Sequence, residues 1–406
     1  MKRTDSPQEK KVLLFFSGGV SAESRIALLS AGYVYPHIDR ELFDVMPVFI
    51  GPDGQWYLLL PGQTENWARL SEPEFLQAIE SDLGRVELLP AKDGLKLRVN
   101  LPGAETPAVE ERRIDLIFPM MHGPSGEDGT IQGLAKFFGV PVVGSDMSGS
   151  LINMDKVLMK AVLEQRDIPC ARYRSFCRPE LGTDGLQDRD SRRPVQSYEN
   201  LAAELFAQWQ CEALYVKPAR MGSSIGMFQV KRADDLGLAI HRALCYDDKL
   251  LLEEGFCALE LELAVIEQGR HLKVSNPAQI HSNGEFYSYE QKYFPDRQEK
   301  ALVTEAYQAH QAHREGEGAK AQNDLPSSVI ERARDLAAQG FRALGACHYA
   351  RVDLFYLQAE DRLLLNEINT IPGFTAHSMF PKLMEAEGWP MERLVPHLLQ
   401  LALQSP

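Results

Sequence analysis

No apolar run in this chain approaches the roughly 20 residues that a membrane span requires. The basic start, MKRTDSPQEKK, is followed by an apolar stretch too short for a secretory signal. Cysteine is sparse: the six (Cys170, Cys177, Cys211, Cys245, Cys257 and Cys347) include no C-x-x-C pair, which excludes a zinc ribbon or a disulfide frame. They read as buried thiols of a reducing, cytoplasmic compartment. Basic residues are outnumbered, and a net charge of −14 argues against nucleic acid or an anionic membrane as partner. There is no internal repeat. The phosphate-binding sequence G-x-x-x-x-G-K-S/T is absent, so the chain is not a P-loop nucleotide hydrolase.

What is present is ordinary in bulk and specific in detail. At 406 residues, with 44% hydrophobic and 25% charged residues, the chain is globular and long enough for two or three cores. Ala350–Ser378, ARVDLFYLQAEDRLLLNEINTIPGFTAHS, is its organising stretch. Two apolar strands flank a polar turn near Glu360 and Asp361, and a glycine-containing loop follows. Side chains alternate along a strand, so Arg351 and Asp353 share one face of the first, and Glu367 and Asn369 one face of the second. An antiparallel hairpin gathers them on one surface. Carboxylate and amide oxygens suit Mg²⁺, and the arginine can neutralise a developing oxyanion.

In chain order, the strand Lys11–Phe16 runs into SGGVSAES, where Ser21 is placed to cap a helix and Glu23 to face the mouth of an open sheet. That loop lacks G-x-G-x-x-G spacing. A second strand, Leu116–Met121, ends in MHGPSGEDGTIQG, with a helix over Thr130–Phe138 and a short strand over Val140–Val143. Strand, loop, helix, strand predicts a Rossmann-like first domain. His122, at a strand end, is either structural or ligand-contacting. A helix over Asn153–Arg166 carries Lys156, and 178–197 reads as an exposed insertion. The strand ALYVKP places Lys217 before ARMGSSIGM, whose glycines and serines offer free backbone N–H groups to phosphate. KLLLEEGFCALELELAV predicts two strands around a turn, with Glu260 and Glu262 on one face. GEFYSYEQKYF, bearing Lys292, has the composition of a lid or an aromatic sheet face. The polar stretch 306–327 reads as a connection. Val329–Leu344 predicts an amphipathic helix, and the segment after Phe380 a further apolar-faced helix.

The ordered series GGVSAE, MHGPSGEDGTIQG, NMDKVLMK, VKPARMGSSIGM, LLEEGF, FYSYEQKY, ARVDLF and NEINTIPGFTAHS resembles the D-alanine–D-alanine ligases of the ATP-grasp superfamily. The resemblance implies an α/β architecture: a Rossmann-like domain over 1–144, a central subdomain over 145–254, and a C-terminal subdomain over 255–406. ATP is expected between the last two. Lys156, Lys217 and Lys292 then contact phosphates under the Gly222–Gly226 loop, which includes Ser223 and Ser224. Glu253, Glu254, Phe256 and Glu260 fall where such enzymes hold adenine and ribose, and Asp353, Glu367 and Asn369 match ligands of two Mg²⁺ ions, with Mn²⁺ an alternative. Arg351 and the Gly373 N–H match oxyanion donors. Glu23, with Ser223 and Tyr293, matches the group holding the first D-alanine and the lid. His122 lies near the first substrate, and Ser378 and Met379 near the second. A tyrosine at 293 implies a dipeptide product; D-lactate or D-serine as second substrate, or a catalytically silent nucleotide-binding regulator, are the alternatives. A homodimer is expected. The chain departs from the usual pattern at Ser24–Ala27 and at Met221.

Overall fold

The structure, a computed structural model, describes residues 9–79, 82–92, 94–100, 109–179, 185–280 and 325–404. Lys292, Tyr293 and most of 306–327 lie outside them. The described residues form three sheets.

The first sheet holds β1 (Lys11–Gly18), β2 (Phe43–Ile50), β3 (Trp56–Leu58), β4 (Gly84–Ala91), β5 (Gly94–Asn100), β6 (Val109–Arg113) and β7 (Leu116–Met120), in the order β6-β5-β4-β3-β2-β1-β7. Strand β1 is parallel to both β2 and β7, and every residue after Lys11 is buried. A continuous apolar run is what a strand covered on both faces needs. Leu13 and Phe15 enter one core with α1 (Ser24–Val34), while Leu14 and Phe16 enter another with Ile131 and Ala135 of α3 (Thr130–Phe137). The short helix α2 (Pro73–Ile79) flanks the first of these cores. Strands β3 to β6 are an antiparallel extension that the sequence reading did not include. The stretch read as a strand at Val140–Val143 pairs only as an isolated bridge, Ile117 to Val142.

Helix α1 begins at Ser24, two residues later than a cap at Ser21 would place it. Ser21 Oγ donates to the His122 carbonyl (2.8 Å) and accepts from the Glu23 N–H (3.3 Å), which leaves Glu23 at the cap position. The helix expected over Asn153–Arg166 is two, α4 (Met147–Met154) and α5 (Lys156–Gln165). They break at Asp155, whose carboxylate accepts from the N–H groups of Val157 (3.1 Å) and Leu158 (3.2 Å). That cap satisfies donors a helix start leaves free, and it fixes Lys156 at the first helical position.

The second sheet, β11-β10-β12-β8-β9, joins β8 (Tyr173–Cys177), β9 (Gln187–Asp188), β10 (Leu214–Pro218), β11 (Phe228–Val230) and β12 (Lys249–Glu254). Helices α6 (Tyr198–Trp209) and α7 (Leu236–Ala243) cover it. The stretch 178–197 is not wholly an exposed insertion. Leu186 is in this core, and Asp188 is buried against Arg174 (2.7 Å).

The third sheet, β14-β13-β16-β17 with β15 also on β13, comprises β13 (Leu259–Gln268), β14 (His271–Val274), β15 (Ala278–Ile280), β16 (Tyr349–Leu357) and β17 (Arg362–Asn369). Strands β12 and β13, adjacent in sequence, therefore belong to different sheets. One face of the third sheet packs on α8 (Ser327–Ala343) and on Met159 and Leu163 of α5. The other packs, through Tyr349, Phe374 and Phe380, into the core that holds Leu13 and Phe15. The terminal helices α9 (Met379–Ala386) and α10 (Met391–Gln404) add Leu383, Leu394, Leu398 and Leu399 to that core. The chain thus returns to its first sheet and holds the loop after β17 against α1.

Candidate active site

The β16–β17 hairpin pairs Arg351 with Asn369 and Asp353 with Glu367. Side by side across an antiparallel pair, these residues share a face. Just beyond them Leu354 pairs with Leu365, so Asn366 is an extra residue in β17, a bulge that re-aims the end bearing Glu367 and Asn369. Strand β13 sets Glu262 opposite Asp353 on the other side. Arg351 donates to both Asp353 oxygens (2.7 and 2.6 Å) and stands 3.4 Å from Glu262, while Asn369 Nδ2 donates to Asp353 Oδ2 (3.1 Å). Burial works against the Arg351 charge, but Asp353 and Glu262 prevail and raise its pKa.

Three other loops meet this surface. Lys156 Nζ donates to the Met221 carbonyl (2.7 Å) in the loop after β10 and lies 4.0 Å from Glu367. In that loop, Ser223 and Ser224 both have left-handed backbone, with φ of 50° and 58°, which is uncommon for a residue bearing a Cβ and recurs at ligand-holding loops. Ser223 Oγ donates to the Glu23 carboxylate, which joins the loop after β1 to the loop after β10. Gly222 is close enough that a Cβ there would lie 3.4 Å from Glu23. Burial raises the Glu23 pKa, with Ser223 and Lys156 opposing.

Glu127, in the loop after β7, was not singled out from sequence. Its carboxylate accepts from the Gly123 N–H (2.8 Å), and burial, with Glu23 nearby, pushes its pKa up to about 8. The available signal was an acidic residue within a glycine-rich strand-to-helix loop. Lys160, one helical turn beyond Lys156, was also missed. It is fully buried, donating to the Ala171 carbonyl (3.1 Å) and pairing with Glu253 (3.0 Å). Lys217 pairs with the other oxygen of Glu253. Burial opposes ionisation of Glu253, but the two lysines lower its pKa to about 2.

Glu254, next along β12, points to the opposite face, and Arg172 takes its carboxylate (Nε to Oε2, 2.6 Å). Phe256 packs edge-on against Phe355, ring centres 5.3 Å apart. Glu260 is exposed where β13 meets β15. Gly373 is tight: a Cβ would lie 2.8 Å from Ser378 Oγ, which accepts from the Thr375 N–H (3.0 Å). Ser378 precedes α9, and Met379 packs partly buried at its start. His122 is buried with both ring nitrogens engaged, Nε2 by Ser30 (3.2 Å) and Nδ1 by the Ile371 carbonyl (2.9 Å).

His122 and His348 are both held neutral. Burial lowers each pKa to about 4, and His348 Nδ1 accepts from the Gly144 N–H (3.0 Å). As pH falls from about 6.5 to about 4, the unfolded chain takes protons that the native state refuses, so each histidine lowers stability by about 1.4 kcal/mol per pH unit in that window. We expect His348→Asn, whose amide oxygen still accepts from Gly144, to show a shallower fall in urea midpoint between pH 7 and 5, roughly one protonatable group's worth. An unchanged slope would show that His348 does not titrate this way.

Among the described residues no cluster of three His, Cys, Asp or Glu side chains forms a ready metal site. Asp353, Glu367 and Asn369 instead offer two carboxylates and an amide oxygen on one face, which is a hard-cation donor set of the kind Mg²⁺ completes with phosphate and water. Cations able to neutralise phosphate thus stand beside an arginine able to neutralise an oxyanion derived from a carboxyl group. A chain so built sits among the enzymes that activate a carboxylate with a nucleotide.

Comparison with known proteins makes the class specific. The families described as D-ala D-ala ligase N-terminus and D-ala D-ala ligase C-terminus match residues 11–145 and 192–400. A D-alanine--D-alanine ligase A of Bradyrhizobium diazoefficiens is 37% identical over 398 residues, covering 95% of this chain and 93% of that protein. The structure of the D-alanine-D-alanine ligase from Coxiella burnetii superposes with a TM-score of 0.72 at 28% identity, over 97% of this chain and 95% of that one. The VanG D-Ala:D-Ser ligase from Enterococcus faecalis gives 0.73 at 25%, over 97% and 100%. The chain belongs to the D-alanine–D-alanine ligase family.

Proposed function

We infer that the chain joins two D-alanines into D-alanyl-D-alanine with turnover of ATP, for peptidoglycan precursor synthesis, and that the residues gathered above carry the reaction. The observation that supports these roles most is Lys156. Its ammonium holds the backbone of the serine loop and approaches Glu367, so the phosphate-cradling loop and the carboxylate hairpin meet at one cation.

In this reading Lys156, Lys217 and Lys292, with the N–H groups around Gly222 and Ser224, receive the ATP phosphates. Phe256 and the Glu253–Lys217 pair border the base, and Glu260 the ribose; Glu254, turned to Arg172, contributes through its backbone. Asp353, Glu367 and Asn369 would hold Mg²⁺, which when bound neutralises phosphate charge. In the structure Asp353 gives both oxygens to Arg351, so holding a cation requires it to release at least one.

A carboxylate oxygen of the first D-alanine attacks the γ-phosphorus, and ADP leaves. The amine of the second D-alanine attacks the acyl carbon. The tetrahedral adduct then expels phosphate, with loss of one amine proton. Such chemistry depends on positioning and on charge stabilisation. Glu23 pairs with the first ammonium. Arg351 and the Gly373 N–H face the oxyanion, and Ser378 and Met379 border the second carboxylate. Tyr293, outside the described residues, is assigned to the group of Glu23 and Ser223, and a tyrosine at that position goes with an amine as the attacking group.

No described helix is long and apolar enough to cross a membrane, and all six cysteines are free thiols, though none is buried as expected and Cys245 and Cys257 are exposed. These fit a cytoplasmic enzyme; a homodimer of three-domain subunits, divided near 145 and 255, is part of the same reading.

ADP release with D-alanine alone, then with D-lactate or D-serine added, tests the reading once products are separated. We expect D-alanine-dependent ADP and a dipeptide. A depsipeptide or a mixed D-serine product would overturn the specificity, and nucleotide binding without turnover would favour a silent regulator. Ser223→Ala should raise the KM for D-alanine about 10-fold, since Glu23 loses the hydroxyl that fixes it. An unchanged KM would remove Ser223 from the substrate site.

A further inference from the structure

Ser30 sits in the middle of α1, fully buried, six residues past SGGVSAES and outside every glycine-bearing motif. Its hydroxyl is nonetheless the centre of a closed hydrogen-bond circuit. The Ile371 carbonyl can only accept, so His122 Nδ1 carries the ring proton and donates to it at 2.9 Å. Nε2 is then an acceptor, and Ser30 Oγ, 3.2 Å away, donates to it. The same oxygen accepts the Phe374 N–H at 3.1 Å. Every donor and acceptor role is fixed by its neighbour, and no other tautomer satisfies all three bonds.

The two loop groups held this way, the carbonyl of 371 and the N–H of 374, bracket Pro372 and Gly373. The Ile371 backbone also lies near enough to the Glu127 carboxyl to lower its pKa, against the larger effect of burial. On the far side Ser378 Oγ fills the space next to Gly373, and the Phe374 ring is buried against Tyr349 and Phe380. The loop therefore has no slack at Gly373. Its position is dictated by two side chains that belong to the first sheet's elements and not to the strand that precedes it.

We propose that Ser30 and His122 are positioning residues that fix the 371–374 backbone, and thereby the direction of the Gly373 N–H toward the oxyanion of the ligation step. This rests on the reading of Gly373 under Proposed function. It assigns His122 to loop geometry in place of direct contact with the first D-alanine. Small errors in aiming a donor are expensive in rate: displacement on the order of 1 Å can cost about 10²-fold. The two half-reactions should feel the loss unequally. Acyl phosphate formation does not need an oxyanion donor at Gly373, whereas formation of the tetrahedral adduct does.

The test uses the full-length protein and two rates: positional exchange of the β,γ-bridging oxygen of ATP in the presence of D-alanine, which reports acyl phosphate formation, and dipeptide release. Ser30→Ala keeps a good helix former and removes only the hydroxyl. We expect dipeptide release to fall about 10- to 30-fold, with oxygen exchange and the KM for the first D-alanine within about 3-fold of wild type. Ser30→Thr, which restores a hydroxyl, should recover most of the rate, and His122→Asn should behave like Ser30→Ala. Equal loss of both rates, or a raised KM with unchanged dipeptide release, would overturn the proposal. Hydrogen exchange of the peptide spanning 370–378 is the second measurement and does not depend on activity. Phe374 should lose protection in Ser30→Ala, and unaltered exchange would also overturn it. If wild type makes no dipeptide but Ser30→Ala still frees Phe374, the clamp stands and the ligase reading fails.

Discussion

Arg351→Met is expected to lower kcat about 10²–10³-fold, the range observed when a single oxyanion donor is removed. The guanidinium contacts both Asp353 and Glu262, which face each other across β16 and β13. Its removal does two things. The developing oxyanion loses a charged donor, and two carboxylates are left opposed in a partly buried surface. The second effect leaves two like charges facing each other without compensation. Arg351→Lys restores one charge but not the fork that spans both Asp353 oxygens, so it should recover only part of the rate. Steady-state kinetics at saturating ATP and D-alanine decide the matter. A kcat within 5-fold of wild type, taking about that factor as the smallest worth attributing to one donor, would remove Arg351 from the reaction.

The largest effect on stability is expected at Lys160→Met. The side chain it removes is fully buried and supplies one of the two cations on Glu253. Breaking a buried pair from one side costs about 3–5 kcal/mol, because the remaining charge has lost its compensation. Lys217 remains, which sets the expectation near the low end, about 3 kcal/mol, measured as a shift in urea midpoint. Because Lys217 and Glu253 move together, ADP affinity should also drop, by about 10-fold. Neutralising the stranded carboxylate in Lys160→Met with Glu253→Gln should recover more than half of the lost stability. If the double variant is no more stable than the single one, the cost is packing and not charge. The Glu253 contribution has a defined pH window. It is complete above the ordinary carboxylate pKa of about 4.3 and is lost as pH falls toward about 2.

Local pattern made the hairpin legible. Alternation in ARVDLF and LLLNEIN dictates which side chains share a face, and the structure pairs Arg351 with Asn369 and Asp353 with Glu367. Alternation does not report a bulge, so the skipped Asn366 could not be read. The same rule, applied to LLEE, separates Glu253 from Glu254. The structure places one on two lysines and the other on Arg172. Glu260 and Glu262 share a face by spacing, yet one lies exposed at a strand end and the other beside Arg351. Only the identity of the neighbouring strand distinguishes them.

Long-range partners were the least legible. Lys160 is a lysine on an apolar helix, and nothing nearby in sequence announces a carboxylate at 253. Ser30 and Phe374 are separated by 344 positions and meet because α9 and α10 fold back on the first sheet. The antiparallel extension was available in principle: Leu95, Leu97 and Val99 alternate with polar residues and are the buried ones in β5. Its strands lie between two glycine-bearing strand-to-helix loops, whose pattern is that of parallel βα units.

The account turns on activation of the first D-alanine as an acyl phosphate. D-alanine carrying heavy oxygen in its carboxylate tests that directly, with the inorganic phosphate analysed by mass. The account predicts transfer of one labelled oxygen to phosphate for each dipeptide formed. Dipeptide accompanied by unlabelled phosphate would contradict it.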